Sequence, residues 1–227
     1  MSLLSVKNLV YYFQDGDSRR YILNDISYEF DAGRLYVISG ESGSGKTTFL
    51  SLVAALDKPR EGEIAYEGRT IGDIGFEKYR RNNIGIVFQS YNLIPYMTPY
   101  ENILTAMSIT DNELPSDRST VAYNLLDFIG ITRDKAGRVV NRLSGGEQQR
   151  VAIARALATN VELILADEPT GNLNEEMENE ITDIFLNLAH EQGKCVIIVS
   201  HSPRVAEKAD VVLRLRDGRF MTDEQLP

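Results

Sequence analysis

The stretch Arg34-Leu35-Tyr36-Val37-Ile38-Ser39-Gly40-Glu41-Ser42-Gly43-Ser44-Gly45-Lys46-Thr47 decides the fold of this chain. Arg34 to Ser39 is an apolar run that reads as a strand, and it passes directly into a loop of glycine and serine. Lys46 to Leu56 then reads as a helix, with Phe49, Leu50, Leu52 and Val53 available for packing. Strand, small-residue loop and helix in this order make a phosphate cradle. Gly40, Ser42, Gly43, Ser44 and Gly45 let backbone N–H groups turn inward around phosphates. Lys46 brings a positive charge to the β- and γ-phosphates, and the Thr47 hydroxyl is placed to ligate Mg²⁺. The following helix points its N-terminus at the anion.

Upstream of the cradle, residues 3–38 read mostly as strand. Ile22, Ile26, Tyr28 and Phe30 are expected on one face, with Asp25, Ser27 and Glu29 on the other. Glycines at 33, 62 and 68 mark turns between short strands. Downstream, residues 84–89 read as another strand. From Pro99 to Arg142 the pattern is helical, with an apolar stripe of Val121, Ala122, Leu125, Leu126 and Ile129 ended by Gly130. Helix 145–159, strand 161–166, helix 175–190 with Asn174 as N-cap, and strand 195–200 follow. Val211 to Met221 reads as a hairpin turned at Asp217-Gly218. Strands alternating with helices predict an α/β fold, a mainly parallel sheet with helices on both faces. The expected architecture is a P-loop core with an N-terminal antiparallel β subdomain and an inserted helical subdomain. Residues 1–227 form one domain, in which 1–90 and 160–227 make the core and roughly 91–159 the helical part.

The chain has 227 residues, 43% of them apolar, and a formal net charge of −9. That length suits one large domain with a proper core. The acidic balance argues against sequence-independent affinity for nucleic acid and gives no polybasic patch for anionic lipid. The single cysteine, Cys195, reads as a buried strand residue; it makes no internal disulfide, which points to a reducing compartment. No apolar run approaches the ~20 residues that span a bilayer. Met1-Ser2-Leu3-Leu4-Ser5-Val6-Lys7 lacks the pattern of a signal peptide.

A second constellation is Leu163-Ile164-Leu165-Ala166-Asp167-Glu168. The apolar strand delivers both carboxylates at its C-terminal end, where α/β sheets place ligands. Asp167 is expected to hold Mg²⁺ through water and Glu168 to activate the attacking water as general base. A third is Leu143-Ser144-Gly145-Gly146-Glu147-Gln148. Ser144, Gly145 and Gly146 open a helix, so their N–H groups make an anion nest.

These three motifs in this order resemble the ATPase subunits of ATP-binding-cassette (ABC) transporters, over nearly the whole chain. The resemblance implies that Ser144, Gly145, Gly146 and Glu147 complete the ATP site of a second, facing copy in a head-to-tail dimer. It implies that Gln89 touches the metal and the attacking water, that His201 contacts the γ-phosphate, and that Phe13 stacks on adenine, with Tyr11 and Tyr12 close by. Thr48 joins the phosphate-binding residues on the same ground. His190, at a helix end, is read as a partner of the helix dipole. Gly171-Asn172-Leu173-Asn174 departs from the family pattern, which ends in aspartate. Arg80 to Gln89, Tyr91-Asn92-Leu93-Ile94-Pro95 and Asp167 to Leu173 are similar to the ATPases of macrolide-efflux, lipoprotein-release and antimicrobial-peptide-resistance exporters. In those systems the ATPase sits on the cytoplasmic face of the membrane beneath a separate permease, which it serves by transport or by transmitted force. Ser90 to Ile103 is the expected dock. It carries Tyr91, Leu93, Ile94, Tyr96, Met97 and Tyr100, and Pro95 and Pro99 break it too often for a core strand or helix. Two other classes compete. ABC-type ATPases of chromosome maintenance or translation carry long coiled coils or paired cassettes, and this chain has neither. A non-hydrolysing regulatory module is opposed by the intact Lys46, Asp167, Glu168 and His201.

Overall fold

A computed structural model describes residues 2–221. Met1, where the N-terminal reading begins, and residues 222–227 lie outside the described residues. The chain makes two sheets. The first is antiparallel, in the order β2-β1-β4-β5, from β1 (Leu4–Asp15), β2 (Ser18–Phe30), β4 (Glu61–Tyr66) and β5 (Arg69–Thr70). The second runs β10-β9-β3-β8-β7-β6. Its strands are β3 (Arg34–Ser39), β6 (Ile84–Phe88), β7 (Leu163–Asp167), β8 (Cys195–Val199), β9 (Val211–Arg216) and β10 (Arg219–Met221). All its pairings are parallel except the β9–β10 hairpin, so the expected mainly parallel sheet is present.

Two strand readings change. The inward face of β2 is Leu23, Ile26 and Phe30, while Ile22 is only half-buried. Asp25 takes φ 61°, and the pairing advances from Leu9↔Ile26 to Tyr11↔Leu23. One extra residue on β2 moves the strand's inward set by one position. Gly62 lies inside β4 rather than at a turn. Its φ is 85°, and a Cβ there would stand 2.3 Å from the Asn8 carbonyl oxygen. The glycine exists for that close backbone approach at the bulge between Lys7 and Val10.

The helices are α1 (Lys46–Val53), α2 (Ile71–Ile74), α3 (Phe76–Asn82), α4 (Pro99–Ile109), α5 (Arg118–Phe128), α6 (Arg133–Ala136), α7 (Gly145–Leu157), α8 (Glu175–His190) and α9 (Pro203–Glu207). α1 stops before Leu56 because Ala55 adopts φ 54°. α3 was not read from sequence; it buries only Tyr79 and carries no apolar stripe. The proline argument against a helix in 90–103 fails at Pro99. That residue opens α4, where its missing N–H is no loss, behind a capping box of Thr98 and Glu101. Asn174 caps α8, accepting from the Met177 N–H at 3.0 Å. His190 ends α8 with its Nε2 2.9 Å from the Asp210 carboxylate, which is its partner.

Apolar side chains fill both faces of the central sheet. One face packs against α1 and the antiparallel sheet through Tyr36, Ile38, Phe49 and Phe30. The other lies under α7 and α8 through Val37, Val87, Ile153, Ile181 and Phe185. A third cluster joins α4, α5 and α7, with Ile103, Met107, Leu126 and Val151 at its centre. Leu93 and Leu125 touch both of the latter two clusters. Burial of each such aliphatic side chain stabilises the fold by about 1.5–3 kcal/mol.

Candidate nucleotide site

The cradle forms between β3 and α1 as its residue types dictate. Gly40 adopts φ 153°, and a Cβ there would stand 2.4 Å from the Leu215 carbonyl oxygen of β9. Gly45 caps α1 at φ 103°, pressed against Ile22 and Leu23 of β2. Lys46 is buried, and its Nζ donates to the carbonyls of Gly40 and Glu41 at 2.9 Å each. The ammonium is therefore fixed at the centre of the loop. Ser44 Oγ is shielded from solvent and has no hydrogen-bond partner. An orphaned hydroxyl beside a buried cation and a ring of backbone N–H groups fits an anionic phosphate chain.

The Thr47 hydroxyl donates to Asp167 Oδ1 at 3.3 Å, joining the first turn of α1 to the end of β7. Burial lifts the Asp167 carboxyl above the ordinary carboxylate range, and the neighbouring Glu168 pushes the same way. A desolvated carboxylate gains most from a nearby cation. Among the described residues no three His, Cys, Asp or Glu side chains group as a metal cage. One hydroxyl and one carboxylate, with phosphates and water, are the sparse oxygen set that suits Mg²⁺.

Beyond Asp167 the backbone turns over at Glu168, whose φ is 46° and whose N–H donates to the Val199 carbonyl at 2.9 Å. Glu168 Oε2 lies 2.9 Å from His201 Nδ1. The ends of β7 and β8 thus bring together two residues that the sequence separates widely. Gln89 follows β6, whose Phe88 pairs with Asp167. Its Nε2 points toward Asn172 Oδ1 at 3.5 Å.

Phe13 is 51% exposed near the end of β1, its ring meeting Tyr11 edge-on at 5.4 Å. Tyr11 is buried and donates from its hydroxyl to Asp57 at 2.6 Å, so it has no free face. Tyr12 carries Tyr21 and the Arg19 guanidinium against its ring. A cleft of about 800 Å³ borders the P-loop, with Arg20, Tyr21, Ser42, Ser44 and Gly218 among its walls. Phe13 lies one strand over, paired with Arg20.

The turn at Ser144 opens α7 as a capping box. Ser144 Oγ accepts from the Glu147 N–H at 3.3 Å, and Glu147 Oε2 accepts from the Ser144 N–H at 2.8 Å. Lys135 pairs with the same carboxylate at 2.5 Å. Glu147 is thereby committed within its own chain. The N–H groups of Gly145 and Gly146 are the donors left at the helix end. Residues 144–147 do not border the P-loop cleft.

Two residues escaped the sequence reading. Asn172, quoted only as part of a motif, is the side chain that meets Gln89. Arg155 donates to the carbonyls of Tyr91 and Asn92. Its signal was a lone cation inside the apolar run Val151 to Ala158, where an unpaired charge is costly. In the expected dock, Tyr91 and Leu93 pack into the core under α7, whereas Tyr96 is 76% exposed.

Fold and cradle together define a P-loop nucleoside triphosphatase. Residues 23–171 match the sequence family described as ABC transporter. An uncharacterized ABC transporter ATP-binding protein of Bacillus subtilis, YclH, is 43% identical over all of this chain and 99% of its own length. The macrolide export ATP-binding/permease protein MacB of Bdellovibrio bacteriovorus is 37% identical over 99% of this chain, which spans 34% of that larger protein. Among solved structures, the dimeric ABC transporter cassette MJ0796 superposes with a TM-score of 0.87 at 36% identity, covering 96% of this chain and 97% of that one. Its dimeric post-hydrolysis state, bound to ADP and Pi, gives 0.86 at 35% identity and 99% coverage of each chain. The chain belongs to the ABC transporter ATP-binding family, and it is an ATPase cassette of that family. Among the described residues no helix is long and apolar enough to cross a membrane.

Proposed function

We propose that this cassette drives a separate transmembrane subunit of an exporter or force-transmitting complex, acting from the cytoplasmic face of the membrane as an ATP-dependent head-to-tail homodimer. One observation carries the reading. The Ser144 turn opens α7 with backbone donors left at the helix end, and it does not line the cleft beside the chain's own P-loop. A second copy puts that nest to use on the γ-phosphate of the first copy's ATP. The MJ0796 cassette is dimeric in both of those solved structures, which supports pairing of two copies.

The residue roles follow. The P-loop N–H groups, Ser44, Thr48 and Lys46 hold the phosphates, and Phe13 stacks on the base. Thr47, Asp167 and Gln89 would hold Mg²⁺, which when bound would supply charge neutralisation for the phosphates. Glu168 accepts the proton of the attacking water, and His201, 2.9 Å from it, fixes its carboxylate and faces the γ-phosphate. Residues 91–159 act as the helical lobe that moves against the core. The exposed Tyr96 and its neighbours offer the permease a surface, whereas Tyr91 and Leu93 are spent on packing.

The dimer is tested by sizing the Glu168→Gln variant with and without Mg-ATP. ATP held between two copies adds its binding energy to association. The expected result is a monomer without nucleotide and a dimer with it. A monomer at saturating ATP sinks the proposal.

A further inference from the structure

We infer that Arg155 is a positioning residue for ATP hydrolysis: its guanidinium pins the Tyr91–Asn92 turn and so holds Gln89 against Asn172. The inference rests on the role of Gln89 proposed above. Arg155 sits on α7 and is itself half-buried, with Val151, Ala152 and Ala158 buried one turn away. Burial lowers its pKa from the usual arginine value. Among the described residues no carboxylate pairs with it. A half-buried cation without a counter-charge still gives up part of its hydration, so what it binds instead matters.

It binds two consecutive carbonyls. Arg155 Nη1 donates to Asn92 O, and Nη2 donates to Tyr91 O at 3.2 Å. Tyr91 and Asn92 adopt φ 61° and 50°. That region is uncommon for any side chain and a true outlier for a bulky one. Two successive left-handed residues point their carbonyls the same way, which lets one planar guanidinium fork take both. The turn starts where β6 ends, with the Tyr91 N–H donating to the Phe88 carbonyl at 3.1 Å. Gln89 is enclosed between these fixed points. Phe88 is anchored by its pairing with Asp167, and Tyr91 by Arg155. From there Gln89 Nε2 reaches toward Asn172.

The same helix touches the segment a second time. A Cβ at Gly145 would stand 2.8 Å from the Tyr91 hydroxyl. α7 therefore grips the loop at both ends, through its first turn against the Tyr91 ring and through Arg155 near its last. A tilt of α7, whose opening turn faces the partner's ATP in the proposed dimer, moves Gln89 through these two contacts.

The test is a double-mutant cycle on the full chain. Arg155→Lys keeps the charge but replaces the fork with a single point donor. It is expected to lower kcat by about ten- to a hundredfold, the scale on which small misplacements act, with the KM for ATP nearly unchanged. In a Gln89→Ala background the same change is expected to cost nothing further. An equal fold-loss in both backgrounds overturns the inference alone. A wild-type kcat in Gln89→Ala overturns the role of Gln89, and the inference with it. Exposed Asn92 offers an independent route in which folding is not at stake. Asn92→Val opposes the positive φ and is expected to reproduce the kcat loss, whereas Asn92→Gly, which accepts it, keeps the wild-type rate. Equal rates for those two variants overturn the inference even where Arg155→Lys does not fold.

Discussion

At the scale of single residues, most of the site is fixed by chemistry that the side chains carry wherever they stand. Lys46, Thr47, Asp167 and Glu168 are readable in sequence because a glycine loop after a strand and a carboxylate pair at a strand end have few other uses. Geometry adds separable roles. Lys46 is locked in its loop, so Lys46→Ala should weaken ATP binding, whereas Glu168→Gln should leave binding intact and cut turnover by ~10²–10⁴. Equilibrium nucleotide binding and steady-state ATPase on the two variants check this; equal rates in wild type and Glu168→Gln remove the general-base role. Asp167 gives a prediction with a sign. Its folded pKa is raised, chiefly by burial. The folded chain thus holds that proton more tightly than the unfolded one. The resulting stability is complete below the ordinary carboxylate pKa and is lost as pH rises through the raised value. At neutral pH the ionised carboxylate is a liability without metal. Asp167→Asn should raise the Tm of the nucleotide-free chain at pH 7, narrow the gap to wild type at acid pH, and lose Mg²⁺-dependent ATPase. A lowered Tm at pH 7 would count against burial as the dominant cause. Asn174 reads differently once its place is known. It caps α8, a task amide and carboxylate perform about equally well.

At the scale of elements, periodicity located the long helices and failed where the backbone left its regular period. α7 and α8 were readable because an apolar face repeats along them and a capping residue precedes each. α3 was not, having one buried side chain and no stripe. The β2 alternation misled at Asp25, because a bulge changes which residues face inward without changing any residue's character. Gly62 is the counterpart in β4. Gly62→Ala forces a Cβ to within 2.3 Å of the Asn8 carbonyl oxygen at φ 85°. It should cost about 1–3 kcal/mol, lowering Tm by roughly 2–4 °C for each kcal/mol. Thermal unfolding measures this, and an unchanged Tm would mean that the bulge relaxes freely.

At the scale of the whole molecule, we propose that the chain is one half of a working unit that docks on a membrane subunit. Tyr96 stands 76% exposed on the loop between Gln89 and α4, while its aromatic neighbour Tyr91 is packed under α7. A large exposed aromatic on the segment that follows Gln89 suits an interface anchor. Tyr96→Asp should abolish co-purification with the membrane subunit and leave basal ATPase within about twofold, as for an interface residue remote from chemistry. A complex that survives this change places the dock elsewhere. The sequence by itself determined the phosphate cradle, the carboxylate pair, the order of strands and helices and the family, because each depends on residue type at short spacing. Only the tertiary structure decided the pairing of His201 with Glu168, the reach of Gln89 to Asn172 and the inward face of β2. Those depend on how parallel strands align and where a bulge falls. Such long-range geometry is set by the packing of the whole sheet and not by any local run of residues.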